Sequence, residues 1–269
     1  MIALEPRLWF AGQLLLLGLS FVIARRLRGL SHHRMKIVAV VATALMLFWP
    51  LIRFQPSLGI DLFGARSLTF IEVTGITLPA MVLFTLAAKL TSRERDQRAL
   101  RLMPVIVLLY LFATGRWMLA PPIATLPPMK FSGDVCLQTT GYSCVAASLV
   151  TLLRAVGIDA TETEMARLSL TEENGGTTDT RAAYALQCKL ADRGWTVHYD
   201  RLDYARLQSL PKPCLTPLRW GYFFNHMVPV LAADDRRVTL GDPLTGRRVM
   251  SADDFQAEWL GRAIYVLRP

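Results

Sequence analysis

The stretch that decides the fold of the second half of the chain is Asp134-Val-Cys-Leu-Gln138-Thr-Thr-Gly-Tyr-Ser-Cys144-Val-Ala-Ala-Ser-Leu-Val-Thr-Leu-Leu153. From Cys144 onward, apolar side chains recur at helical spacing with small residues between them, which predicts a buried helix. The preceding Thr-Thr-Gly-Tyr-Ser segment is typical of turns and helix caps. A thiol at a helix N-terminus lies beside unpaired N–H groups and the positive end of the helix dipole, and both favour the thiolate. Cys144 is therefore a candidate nucleophile.

Three further residues supply what a thiol nucleophile needs. A base must accept the thiol proton, a third group must orient that base, and a donor must meet the oxyanion. His226, Asp242 and Gln138 offer one of each, and each is expected at the edge of a helix or strand. Alone, Cys144 is more often a small core hydrophobe, His226 a core histidine, and Asp242 the start of a turn before proline. The rival base His198 has no acidic residue placed to follow it, so the four residues together predict a catalytic site.

Charge divides the chain into two halves. Of 30 Lys and Arg and 21 Asp and Glu, the first 130 residues hold 15 and 5, and the remainder holds 15 and 16. The net charge of +9 therefore belongs to the N-terminal half, where it lies in short segments between apolar runs. Nucleic-acid binding would place such an excess on a soluble surface, so we expect no nucleic-acid partner.

Four apolar stretches are long enough to cross a bilayer, at about 8–24, 36–52, 68–88 and 103–120. The first lacks the charged leader and small-residue cleavage site of a signal peptide. Basic residues gather in two of the loops: Arg25, Arg26, Arg28, Arg34 and Lys36 in one, and Lys89, Arg93, Arg95, Arg98 and Arg101 in the other. The positive-inside rule places both loops in the cytoplasm. We expect a multi-pass protein of the bacterial inner membrane, with its N-terminus and C-terminal half on the periplasmic or extracellular side.

Two charged residues lie near the ends of these spans. Glu72 is near the start of the third and Arg116 near the end of the fourth. Long side chains reach the interface from such positions, so we expect interfacial or mutually paired residues rather than a transport pathway.

Residues 121–133 contain two Pro-Pro pairs, which favour an extended, semi-rigid spacer of about 3.1 Å per residue. The predicted organisation is a four-helix transmembrane domain at 1–120, a proline-rich linker at 121–133 and a soluble domain at 134–269.

The soluble half shows helical patterns first and strand patterns second. After the Cys144 helix, Thr161-Glu-Thr-Glu164 is a capping box for a second helix, and a third is expected at 181–193. Alternating segments then predict strands at 195–199, 214–220, 225–232, 237–240, 247–250 and 263–267. This order is typical of an α+β fold, with the nucleophile on a helical lobe and the base on a sheet.

Region 134–269 resembles the papain-like peptidases of the bacteriocin-processing, double-glycine family and their C39-like relatives. The matching segments are Gln138-x5-Cys144-x-Ala-Ala, Gly157-Ile158, Gly175-Gly176-Thr177, Asn225-His226-Met-Val-Pro-Val-Leu231, Gly241-Asp242-Pro243 with Gly246, and Phe255 with Trp259-x-Gly261. The resemblance implies a papain-like cysteine peptidase fold. It also implies that Cys144 is the nucleophile, His226 the general base, Asp242 its orienter and Gln138 the oxyanion donor.

Two features depart from that family. Val145 stands where the family commonly has glycine, which is expected to narrow the space beside the nucleophile. The best-known members sit on the cytoplasmic side of ABC exporters, whereas no nucleotide-binding domain follows here and the predicted topology points outward.

The expected function is that of a membrane-bound cysteine endopeptidase, acting on a peptide or protein near the membrane surface at a Gly-Gly or small-residue site. A thioester-forming transpeptidase would use the same residues, and a non-catalytic substrate-docking module would keep only the fold. We expect no cofactor and no metal, and a membrane-protein partner through the spans is an open alternative. In an oxidising compartment, two of Cys136, Cys188 and Cys214 could form a disulfide, and the sequence does not choose the pair.

Overall fold

The computed structural model describes residues 5–54, 56–71, 74–119, 123–173, 175–221 and 224–268. The chain forms two compact units. One comprises residues 1–54 and 70–121, and the other comprises residues 55–69 and 122–269.

The first half is helical. Its helices are α1 (Glu5–Leu27), α2 (His32–Phe54), α3 (Pro56–Ile71), α4 (Thr74–Leu90) and α5 (Glu94–Gly115), followed by a 3-10 turn at Arg116–Met118. Four segments are long and apolar enough to cross a membrane: Pro6–Leu27, His32–Pro50, Ser67–Leu90 and Asp96–Met118. Leu15, Val40 and Leu47 are 75%, 67% and 71% exposed, which is typical of side chains that face lipid rather than water. In the described residues, the four predicted apolar spans are helical.

Helix α3 corrects one expectation. The sequence predicts a loop over 53–67, between the second and third spans, but most of the described part of this segment is helical. Pro56 begins the helix, a position that suits proline because the missing N–H would be unpaired there anyway. The helix bends at Gly64, whose φ of +72° is readily reached only without a Cβ. Ile60 packs against the core of the C-terminal unit.

The two basic clusters lie together within the N-terminal unit. One surrounds the α1–α2 junction and the other the α4–α5 junction, and the Lys89 ammonium donates to the Arg28 carbonyl across them. This arrangement suits the prediction that both loops share one side of a membrane. Of the two charged residues near the span ends, Arg116 opens the 3-10 turn, and Glu72 lies outside the described residues.

The C-terminal unit has an α+β, papain-like fold, as predicted. Its elements are β1 (Lys130–Ser132), β2 (Val135–Leu137), α6 (Cys144–Ala155), α7 (Glu162–Leu168), α8 (Asp179–Leu190), β3 (Thr196–Arg201), α9 (Tyr204–Ser209), β4 (Cys214–Arg219), β5 (Asn225–Ala233), β6 (Arg237–Asp242), β7 (Gly246–Ser251), α10 (Ala252–Glu258) and β8 (Arg262–Leu267). The capping box of Thr161 and Glu164 at α7 is confirmed.

Six strands form an antiparallel sheet in the order β3-β8-β4-β5-β6-β7. One apolar core joins α6, α7 and α8 to this sheet through side chains such as Leu149, Leu186 and Ile264. A second core, around Phe255 and Val228, lies under α9 and α10. The two cores hold the helical lobe on the sheet. Cys144 lies at the start of α6, and His226 and Asp242 lie at strand ends.

Part of the expected spacer belongs to the folded C-terminal unit. The Arg167 guanidinium donates to the Ile123 carbonyl at 2.8 Å, and the Leu126 N–H donates to Thr163 Oγ1 at 3.0 Å. Strand β1 pairs with β2. Apolar residues between the prolines explain the difference, because Ile123, Leu126 and Met129 all pack on the core. Residues 121 and 122 lie outside the described ranges, and the domain boundaries stay a prediction.

Candidate active site

Cys144 is the first residue of α6, as predicted, and its side chain is half-buried. The N-cap residue Ser143 makes no side-chain hydrogen bond to the helix. Its hydroxyl instead accepts from the Thr140 N–H at 3.2 Å. The N–H groups of the first helical turn are thus left beside the thiol, where they favour negative charge.

His226 and Asp242 form a buried pair on the sheet. His226 is the second residue of β5 and Asp242 the last of β6, and they are only 5% and 3% exposed. His226 Nε2 lies 2.9 Å from Asp242 Oδ1. The same carboxylate oxygen accepts the Leu244 N–H at 2.8 Å. Because two bonds hold the carboxylate, it fixes the orientation of the imidazole ring.

The electrostatics of this pair favour an imidazolium. Burial would lower the pKa of His226, but the bond to Asp242, together with the hydrogen bond and charge of Cys144, outweighs burial and raises that pKa from 6.5 to about 9. Burial likewise raises the pKa of Asp242, but the hydrogen bonds from His226 and the Leu244 N–H outweigh it, so this pKa lies below 3.8. With Nε2 held by Asp242, Nδ1 is the ring nitrogen left for the thiol.

One buried contact sets the register between nucleophile and base. The Ser148 hydroxyl donates to the Met227 carbonyl at 2.9 Å. Ser148 lies one helical turn after Cys144 on the same face of α6, and Met227 directly follows His226. The bond therefore ties the helix that carries the thiol to the strand that carries the imidazole.

Gln138 lies just after β2, on the segment that leads to Cys144. Its backbone N–H donates to the Pro243 carbonyl at 2.8 Å, which joins this segment to the turn after Asp242. Its side-chain Nε2 donates to the Thr140 carbonyl at 2.7 Å. A carboxamide nitrogen carries two hydrogens, so one remains for an oxyanion. The role of oxyanion donor stays a prediction.

Three residues near the site were missed by the sequence analysis: Ser148, Glu162 and Trp220. The Trp220 ring lies 4.9 Å from the His226 ring between centroids and is 60% exposed, so it covers the imidazole from the solvent side. A polar residue four positions after the nucleophile in an apolar helix was a usable signal for Ser148. Trp220 and Glu162 carry no comparable local signal.

The other candidates fall elsewhere. His198 stacks on Tyr265 with ring centroids 5.1 Å apart, and its strand is three positions from β5 in the sheet. Val145 belongs to α6, and its side chain is buried in the core that α6 forms with the sheet. None of the four cysteines, all within the described ranges, forms a disulfide. Burial, reinforced by the charge of Glu162, raises the pKa of Cys136 to about 12. Within the described ranges, no group of three or more His, Cys, Asp or Glu is placed to hold a metal ion.

A model of the Peptidase C39 family matches residues 133–269, just over half of the chain. The chain belongs to the Peptidase C39 family. It is 33% identical over 141 residues to an uncharacterised protein of Methanothermobacter marburgensis, which covers 52% of this chain and 93% of that protein. It is 31% identical over 138 residues to a probable functional amyloid protease, FapD, of Pseudomonas fluorescens, covering 48% of this chain and 58% of that one.

Solved structures with similar folds include two peptidase domains. The peptidase domain of Streptococcus ComA, a bifunctional ABC transporter, is 23% identical with a TM-score of 0.44 and covers 49% of this chain and 96% of that domain. A double glycine motif protease from an AMS/PCAT transporter, solved with its leader peptide, is 17% identical with a TM-score of 0.43, covering 54% of this chain and 96% of that one. Membership of the Peptidase C39 family supports a cysteine peptidase.

Proposed function

We propose that this protein is a membrane-bound cysteine endopeptidase that uses Cys144, His226 and Asp242 as its catalytic triad. The observation that carries the proposal is the buried hydrogen bond of 2.9 Å between His226 and Asp242, together with the effect of Cys144, which raises the pKa of the same imidazole. A buried imidazole with a carboxylate on Nε2, and with Nδ1 left for a nearby thiol, is arranged for general acid and base catalysis. A purely structural histidine would need no nucleophile beside it.

The chemistry follows from this arrangement. His226 takes the Cys144 proton, and the thiolate attacks the scissile carbonyl carbon. The oxyanion forms near the backbone N–H of Cys144 and the side-chain N–H of Gln138 that is not bonded to Thr140. The imidazolium gives its proton to the leaving amine as the C–N bond breaks, which leaves a thioester on Cys144. His226 then deprotonates a water molecule, which attacks the thioester and releases a carboxylic acid and the free thiol.

We propose that the substrate is a peptide or protein cleaved after a Gly-Gly or other small-residue pair. Support comes from membership of the Peptidase C39 family and from the resemblance of region 134–269 to double-glycine peptidases. The exposed Trp220 ring lies beside the His226 imidazole, with 4.9 Å between ring centroids, an arrangement that suits small side chains next to the scissile bond.

The assay uses the full-length protein in lipid nanodiscs with peptides that contain a central Gly-Gly. We expect cleavage by the wild type and by Cys188→Ala, a control that removes an exposed thiol, and none by Cys144→Ala. Mass spectrometry of the products should find a free carboxylate. Cleavage by Cys144→Ala would overturn the proposal, and an amide product would assign a transpeptidase instead.

We further propose that the catalytic unit faces the periplasm or cell exterior. The ten Lys and Arg in the two basic loops against three, Arg7, Arg53 and Arg66, in the opposite segments support this orientation. Protease added to intact spheroplasts should digest the C-terminal half and spare a fragment with the basic loops. Protection of that half until lysis would place the site in the cytoplasm.

A further inference from the structure

Glu162 is a buried carboxylate that the catalytic steps above do not use. It is the first residue of α7, and it is 0% exposed. The capping box of this helix is complete without it, because Thr161 and Glu164 exchange both of its hydrogen bonds. Buried acids without a compensating partner are costly, so this position requires a reason other than capping.

The hydrogen-bond partner of this carboxylate lies in the segment 138–143, which leads to Cys144 and is called the catalytic segment below. Glu162 Oε1 accepts the backbone N–H of Thr139 at 2.9 Å. Thr139 directly follows Gln138 and lies five residues before Cys144. The other carboxylate oxygen of Glu162, Oε2, is buried with no hydrogen-bond partner within the described ranges. A hydrogen bond to a charged acceptor is stronger than a neutral one, and burial strengthens it further.

Several hydrogen bonds hold the segment from Gln138 to Ser143. The Gln138 N–H bonds the Pro243 carbonyl, and the Thr140 N–H bonds Ser143 within the segment itself. Among the hydrogen bonds of the described residues, the one from Thr139 to Glu162 joins this backbone to a side chain of a separate helix. It acts on the residue next to the predicted oxyanion donor.

We propose that Glu162 is a positioning residue, whose carboxylate fixes the Gln138 carboxamide toward the oxyanion by holding the N–H of Thr139. This inference rests on the proposed peptidase function. Glu162 itself contacts neither substrate nor the reacting atoms. It acts through the backbone. A substitution far from the reacting atoms can lower turnover when it slightly misplaces a group that contacts them.

A purely structural role for Glu162 predicts a different result. Loss of a structural contact would lower the melting temperature and affect binding, thiol reactivity and turnover alike. Glu164 is the matched comparator, because it lies on the same helix, caps its N-terminus and pairs with Lys189 at 2.7 Å, away from the catalytic segment.

The experiment measures kcat, KM and melting temperature for the full-length protein in nanodiscs. We expect Glu162→Ala to lower kcat by about 10–100-fold while KM changes by less than about threefold, as for a lost or misplaced oxyanion donor. Glu162→Gln keeps an oxygen acceptor for the Thr139 N–H and should retain most of the wild-type kcat. Glu164→Ala should lower the melting temperature and leave kcat nearly unchanged.

A double substitution tests whether Glu162 acts through Gln138. If it does, Gln138→Ala with Glu162→Ala should be no slower than Gln138→Ala alone, because the group to be positioned is already gone. Alkylation of Cys144 by iodoacetamide should proceed at the wild-type rate in Glu162→Ala. The positioning role would be overturned if the two substitutions together lowered kcat by the product of their separate effects. It would also be overturned if alkylation of Cys144 slowed as much as cleavage.

Hydrogen exchange separates this inference from the peptidase proposal. In Glu162→Ala, amide exchange across 138–143 should accelerate, and in Glu162→Gln it should stay near the wild-type rate. If the wild type cleaves no peptide but exchange follows this pattern, the peptidase function fails and the backbone contact stands. If the wild type cleaves and exchange in Glu162→Ala is unchanged, the inference about Glu162 is wrong.

Discussion

The two sides of the catalytic site are held by different kinds of contact. On the sheet, His226 and Asp242 meet through buried side chains, and the carboxylate has a second bond to a backbone N–H. On the helical side, Cys144 and Gln138 are placed by backbone: a helix N-terminus without a side-chain cap, and a segment held through N–H groups. The sheet side therefore sets proton affinity, and the helical side sets geometry.

This difference implies that substitutions on the two sides should have different signatures. A change on the sheet alters the charge of the imidazole, so it should appear in pH dependence and in thiol reactivity. A change on the helical side leaves the acid–base pair intact, so it should lower turnover while the thiol still reacts. Each prediction below tests one part of this division.

His226→Ala should have the largest effect. Cleavage should fall by on the order of 10⁴-fold or more, because the residue that moves every proton in the mechanism is lost. The circular dichroism spectrum should stay close to wild type, while the melting temperature should fall because buried Asp242 loses its partner. Cleavage near the wild-type rate would show that another base serves Cys144, and unfolding would assign His226 to the core.

Asp242→Asn should come next, with a loss smaller than that of His226→Ala and a changed pH profile. In the wild type, kcat/KM should fall as pH rises through about 9, where the imidazolium loses its proton. Without the carboxylate, this fall should occur at lower pH. The kcat/KM profile from pH 5 to 10 checks both statements, and an alkaline limb at the same pH in the variant would contradict the role of Asp242.

The same pair has a consequence for stability. The folded pKa of His226 lies above its ordinary value of 6.5, so its contribution to the free energy of unfolding is fully present below about pH 6.5. That contribution is lost as pH rises through about 9. Asp242→Asn should therefore reduce the pH dependence of the melting temperature across this window.

Gln138→Ala should have the smallest effect of the three, a fall in kcat of about 10²–10³-fold with little change in KM, the usual cost of one oxyanion donor. Alkylation of Cys144 should be unaffected, because the acid–base pair on the sheet is untouched. If KM rises and kcat does not fall, Gln138 lines a specificity pocket, and the division between the two sides is wrong.

Much of the fold and of the site was predictable from local signals. The capping box at Thr161, the turn chemistry before Cys144 and the alternating strands each depend on residues close in sequence. Helix α9 was missed because six residues show no clear periodicity, although Asp203 caps its start. Helix α3 was missed because its segment joins two predicted spans and its helical pattern is interrupted at Gly64.

The contacts that hold the site together were not predictable in the same way. The bond from Ser148 to Met227 joins residues 79 apart in sequence, and the burial of Glu162 becomes visible only once α7 lies beside the segment that follows β2. The packing of residues 123–129 was hidden for the same reason, because Pro-Pro pairs suggest extension whether or not apolar neighbours find a core. The sequence indicates which side chains can react, and tertiary contacts determine their positions and orientations.

The most direct test of the central claim is to label the full-length protein in native membranes with a thiol-reactive probe at pH 6, where an ordinary thiol reacts slowly because it is mostly protonated. We predict rapid labelling of Cys144, identified by peptide mapping, with much slower labelling of Cys188 and almost none of buried Cys136 and Cys214. The His226→Ala variant should lose this rapid reaction. Equal rates at Cys144 and Cys188, or rapid labelling that survives His226→Ala, would contradict an activated nucleophile at Cys144.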